Sequence, residues 1–250
     1  MAHRSIALTA PVVLITLMLA SCTPMGEGVL RKDREGKIQE TAAEFKSDTL
    51  ESQLAQLPVL DEATRLTIAT HGPLIRAYAA RYGFDWRLIL AVMRQESRFS
   101  STALSHKGAY GLMQIMPVTG EEVAGVLGLE NVTRPQDNIK GGIFYLRQMY
   151  DLVATGDETE RLRLSLAAYN AGIGRIYDAQ QMAAYLQEDP MRWQSIKDAL
   201  PLLSKRYYTL HRSVWAEAKP TSGWFGDSRE TLEYVDAIMG YYDDYRLLLN

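Results

Sequence analysis

The stretch Asp85-Trp86-Arg87-Leu88-Ile89-Leu90-Ala91-Val92-Met93-Arg94-Gln95-Glu96-Ser97-Arg98-Phe99 decides how the rest of the chain is read. Asp85 has the side chain of an N-cap, and Leu88, Ile89, Val92 and Met93 recur at helical spacing, so a helix with one buried stripe is expected. Glu96 falls at its end. A carboxyl set there against Met93, Phe99 and Met113 would lose water around its charged form, which raises its pKa toward the range of a general acid. An isolated glutamate ending a helix is more often a surface residue, so the neighbouring pattern has to carry the functional reading.

Upstream, Leu66, Ile68, Leu74, Ile75 and Tyr78 predict a helix over 62–82, with a break or kink at Gly72-Pro73 and a stop at Gly83. Downstream, Pro117 suits a first helical turn and Gly128 a terminus, predicting a short helix between them. Pro135, with Asp137 in the first turn, begins another helix that carries Ile139, Ile143, Leu146 and Tyr150. Leu162, Leu166 and Tyr169 mark one more, ended by Gly172 and Gly174. A last long helix spans about Arg229 to Leu248 and buries Leu232, Val235, Ile238, Met239 and Tyr242. No strand pair and no internal repeat stands out, so the fold class is mainly α, a helical domain with a cleft between facing helices. The segment 175–225 gives no clear pattern.

Composition narrows the function. The chain has 250 residues, 47% of them hydrophobic, and a net charge of −3 with no basic block, which argues against a polyphosphate partner; no nucleic acid is expected. Cys22 is the only cysteine, and His3, His71, His106 and His211 lack metal-ligand spacing, so neither an internal disulfide nor a metal is expected. No cofactor is implied.

The N-terminus reads as an address. Arg4 precedes an apolar run from Ile6 to Leu19, interrupted by Pro11 and shorter than the ~20 residues a membrane span needs. Leu19-Ala20-Ser21-Cys22 resembles the lipobox of bacterial lipoproteins, which implies cleavage before Cys22, lipidation of its thiol, and membrane attachment through several acyl chains. Thr23 rather than Asp after the cysteine implies, by the same resemblance, transfer to an outer membrane facing the periplasm. The expected divisions are a signal peptide at 1–21, a lipidated tether at 22–57 that turns helical near Ile38, and a catalytic domain at 58–250.

Four ordered blocks resemble one enzyme family, the family 1 (SLT-type) lytic transglycosylases of peptidoglycan. They are Ala91 to Phe99 with Ser105 to Pro117, then Asn138 to Leu146, Ala167 to Gly172, and Glu230 to Val235. Ala199 to Tyr208 is further similar to the catalytic domain of the membrane-bound F branch, whose larger N-terminal solute-binding-like domain has no room here. The resemblance implies a lysozyme-like (goose-type) helical fold, glycan strands as partner, and Glu96 as the single catalytic acid and base. It assigns substrate contacts to Ser105, Gly111, Met113, Gln114, Tyr169, Asn170 and Tyr234, with Met113 packing on a sugar face and Tyr169 turned toward the acetamido group or Glu96. Ser97 braces the helix end, and Glu230 is expected to pair with a basic residue. Tyr110 stands where the family has a small residue, which leaves the adjacent subsite open.

Most glycosidases need two carboxylates, and none here is an obvious second: Asp85 caps a helix, while Asp137, Glu121 and Glu122 occupy helix starts. The resemblance implies that the substrate's N-acetyl group attacks instead. Two other readings stay open: a goose-lysozyme-like hydrolase using water, and a non-catalytic wall-binding lipoprotein on the same scaffold.

Overall fold

The computed structural model describes residues 60–153 and 157–249; the signal segment, Cys22 and the tether lie outside the described residues. The described part is helical, in agreement with the expected class, and its only extended pairings are the isolated bridges Leu104 with Tyr110 and Tyr110 with Ile115.

Helix α1 (Glu62–Arg81) starts where the Asp61 carboxylate accepts the Thr64 N–H at 2.7 Å. It runs through Pro73 rather than breaking there. Pro73 is exposed, so water can hydrate the carbonyl its missing N–H leaves free. Gly83, at φ 74°, follows its end as expected.

Helix α2 (Trp86–Ser97) is capped by Asp85, which accepts the Arg87 N–H at 2.9 Å. Its burial exceeds one stripe: Leu90 and Ala91 are as inaccessible as Leu88, Ile89, Val92 and Met93. These six consecutive residues cover every side of the helix, so its middle is buried all round while its polar ends reach the surface.

Helix α3 (Pro117–Leu127) stops at Gly128, whose left-handed backbone makes the cap. Helix α4 (Pro135–Leu152) begins with its buried Asp137 bound by Arg134 and Lys140. Helix α5 (Glu158–Ala171) ends at Gly172. Gly174 does not help to end it, because α6 (Ile173–Tyr185) begins at once and takes Gly174 into its first turn.

The unread segment folds as α7 (Trp193–Ala199), two 3-10 turns and α8 (Tyr208–Val214). Helix α9 (Arg229–Leu248) then returns along α2. Its buried face is turned from the expected one: Thr231, Tyr234, Val235, Ile238 and Tyr245 are buried, while Leu232, Met239 and Tyr242 are only partly covered. Polar groups on this face have partners on the neighbouring helices, which is what allows them inside.

Candidate active site

Glu96 occupies the last turn of α2, where it is carried by a core helix and opens into a cleft of about 310 Å³. Tyr234 of α9 donates its hydroxyl to Glu96 Oε1 at 2.6 Å. The carboxyl has its pKa raised from 4.5 to about 7: burial is the largest cause, the Tyr234 hydrogen bond opposes it, and the charge of Glu230 adds to it. Near neutral pH this group is held at the point where it can both give and take a proton.

The wall facing Glu96 is the loop from Arg98 to Met116, and it is ordered by bonds that are not local. Ser97 Oγ donates to Met93 O and Leu112 O, tying the end of α2 to the loop as expected. Fully buried Asn138 of α4 makes three bonds: Oδ1 accepts the Met113 N–H, and Nδ2 donates to Tyr110 O and Val132 O. Gly111, at φ 82°, lies so close that an added Cβ would sit 2.6 Å from Asn138 Nδ2. The approach of Asn138 therefore requires a glycine here, and Gly111 is buried behind the cleft lining.

Met113 also corrects the expectation. Its side chain is fully buried against Gly142, so it offers nothing to a sugar face; its carbonyl accepts the Tyr169 hydroxyl at 2.8 Å. Met116, three residues on and 41% exposed, lines the cleft in its place. Tyr169 is buried within the cleft wall with its proton committed to Met113 O, so the hydrogen bond to Glu96 belongs to Tyr234. Burial and the nearby Glu96 charge push both tyrosine hydroxyls well above their ordinary value.

The remaining expected residues do meet in the cleft. Ser105 accepts the Ala109 N–H through Oγ and keeps its own proton free to donate. Gln114, in a left-handed conformation, spends its amide N–H groups on Ala103 O and Gly111 O, which leaves only its carbonyl oxygen for a ligand. Asn170 accepts from Thr231 Oγ1 at 2.8 Å and so joins α5 to α9 at the cleft edge.

Besides Met116, five cleft residues were not among the expected site residues: Gln95, His106, Lys107, Ala109 and Glu230. His106 and Lys107 follow Ser105 in a turn closed by the Gly108 N–H, and that polar pair was the available signal. Glu230 does not form the expected pair with a base; among the described residues it has no ion pair, and it stands exposed at the cleft rim where its charge reaches Glu96. A second carboxylate is therefore present. Beyond Met116 a larger, more apolar hollow of about 510 Å³ opens, and Tyr110 lines it. Among the described residues no three His, Cys, Asp or Glu side chains are grouped to hold a metal.

Residues 73–191, which carry Glu96 and the loop pinned to α4, match the family described as the transglycosylase SLT domain; Tyr234 lies beyond the matched stretch. The membrane-bound lytic murein transglycosylase F of Desulfosudis oleivorans is 41% identical over 174 residues, covering 68% of this chain and 35% of that protein. The protein of the same description from Marinobacter nauticus is 34% identical over 172 residues, covering 68% and 32%. The chain thus spans about a third of the length of these curated relatives. A solved structure, an inactive mutant of lytic transglycosylase Slt from Pseudomonas aeruginosa, superposes with a TM-score of 0.45 at 28% identity, covering 72% of this chain and 24% of that one.

Proposed function

We propose that this protein is a peptidoglycan lytic transglycosylase in which Glu96 is the single acid and base. The observation that carries the proposal is a carboxyl in a sugar-sized cleft with its pKa near 7 and one oxygen held by Tyr234. In the first step Glu96 protonates the oxygen between N-acetylmuramic acid and N-acetylglucosamine. The C1–O bond breaks as the muramoyl acetamido oxygen bonds to C1. In the second step the Glu96 carboxylate takes the proton of the muramoyl C6 hydroxyl, O6 bonds to C1, and the acetamido oxygen leaves. A 1,6-anhydro ring results, and no water enters.

Tyr234 suits both steps, since its hydroxyl steadies the carboxylate without sharing a charge. Ser105, Gln114 and Asn170 supply polar contacts along the strand. The Cys22 motif supports a lipid anchor at the outer membrane, facing the periplasm, with the glycan as partner and no cofactor.

Glu230 sustains a second reading, hydrolysis, because a carboxylate across the cleft could activate water. Digesting purified peptidoglycan and weighing the fragments separates the two. Transglycosylation gives anhydro ends, lighter than reducing ends by one water, and these persist with Glu230→Gln. Reducing ends alone, lost with Glu230→Gln, would establish the hydrolase.

A further inference from the structure

A second pocket, about 340 Å³, adjoins the cleft and shares Gln95 with it. It is lined by two arginines and two aromatic rings, Arg94, Arg98, Phe99 and Tyr241, with Asp61 as its one acid. Arg94 lies against the Tyr241 ring at 4.6 Å and is neutralised by Asp61 at 2.7 Å, while its guanidinium also donates to the Tyr245 hydroxyl. Arg98 has no such partner: among the described residues it forms no ion pair, and its side chain is exposed at the pocket. The pocket therefore holds one uncompensated positive charge.

The backbone that delivers this charge is unusual. Arg98 and Phe99 take successive left-handed conformations, φ 50° and 66°, two residues after the proposed acid. Left-handed backbone is disfavoured for residues with a Cβ, and for a bulky aromatic it is an outlier. A glycine at position 98 would relieve the first and end the helix as well. An arginine there keeps the strain and presents a guanidinium beside Phe99 and Tyr241.

We propose that this pocket receives the peptide branch of the substrate and that Arg98 binds a carboxylate on it. The inference rests on the peptidoglycan reading above. The glycan in that reading carries, on alternate sugars, short peptides with free carboxylates. A branch rising from a sugar bound beside Glu96 reaches the neighbouring pocket across Gln95. Guanidinium is suited to carboxylate because its planar donors pair with both oxygens, and the flanking aromatic rings give the peptide's aliphatic portions a surface.

The test is equilibrium binding by the full-length protein carrying Glu96→Gln, titrated with soluble peptidoglycan tetrasaccharides bearing their peptides and with the same fragments stripped by an amidase. The peptide-bearing fragment is expected to bind roughly five- to tenfold tighter, and Arg98→Gly to bring that ratio to about one. Glycine suits the left-handed backbone, so loss of folding does not confuse the result; Arg98→Lys should retain part of the preference. A ratio untouched by Arg98→Gly, or no preference at the outset, overturns the assignment. Failure of the functional reading shows separately, as absence of anhydro ends when the unsubstituted protein is given the stripped glycan.

Discussion

Replacing Glu96 by Gln should abolish turnover and yet make the protein more stable, by an amount that depends on pH. The folded state holds the Glu96 proton up to about pH 7, whereas the unfolded chain releases it near 4.5. Between these values the native state binds more protons, so stability falls as pH rises. Below 4.5 the carboxyl is neutral in both states and imposes no penalty; above 7 the full penalty applies. The difference in pKa corresponds to about 3 kcal/mol at roughly 1.4 kcal/mol per unit. Glutamine is neutral throughout and its carbonyl can still accept from Tyr234. Urea denaturation of both proteins at pH 4.5 and 8.5 reads the effect, because every other titrating group is common to the pair. The variant should match the parent at pH 4.5 and exceed it by up to about 3 kcal/mol at pH 8.5. A difference that does not change with pH would refute the claim that burial holds this proton.

Tyr234→Phe removes a hydrogen bond that draws the Glu96 pKa down, so the alkaline limb of the rate profile should move to higher pH while kcat falls roughly tenfold to a hundredfold; an unmoved limb argues against the contact. Asn138→Leu strips three bonds from the loop and leaves the buried Met113 N–H without its partner. A loss of about 2–4 kcal/mol is expected, seen as a fall in Tm of roughly 5–15 °C.

What could be read from the sequence was what is encoded within a turn or two of helix. Asp85, Pro117, Gly128 and Pro135 stand at the ends they announce, and the spacing from Leu88 to Met93 placed Glu96 at the end of its helix. The loop after Phe99 was not legible in this way. Its shape depends on Asn138, whose side chain reaches back to Met113 and Tyr110 from a different helix, so nothing local distinguishes buried Met113 from cleft-lining Met116. The same limit applies to α9: hydropathy favoured Leu232 and Met239, but contacts with Asn170 and Glu96 turn Thr231 and Tyr234 inward. Gly174 misled because a glycine two residues past a helix end looks like a stop even when a new helix has already started.

The contact between α2 and α9 is fastened at both ends. Tyr242 donates to Asp85 at one extremity, and Tyr234 donates to Glu96 at the other. Such a pair behaves as a caliper: sliding or twisting either rod would have to break two separated grips together. The spacing between Glu96 and the hydroxyl that holds it is then a property of the frame.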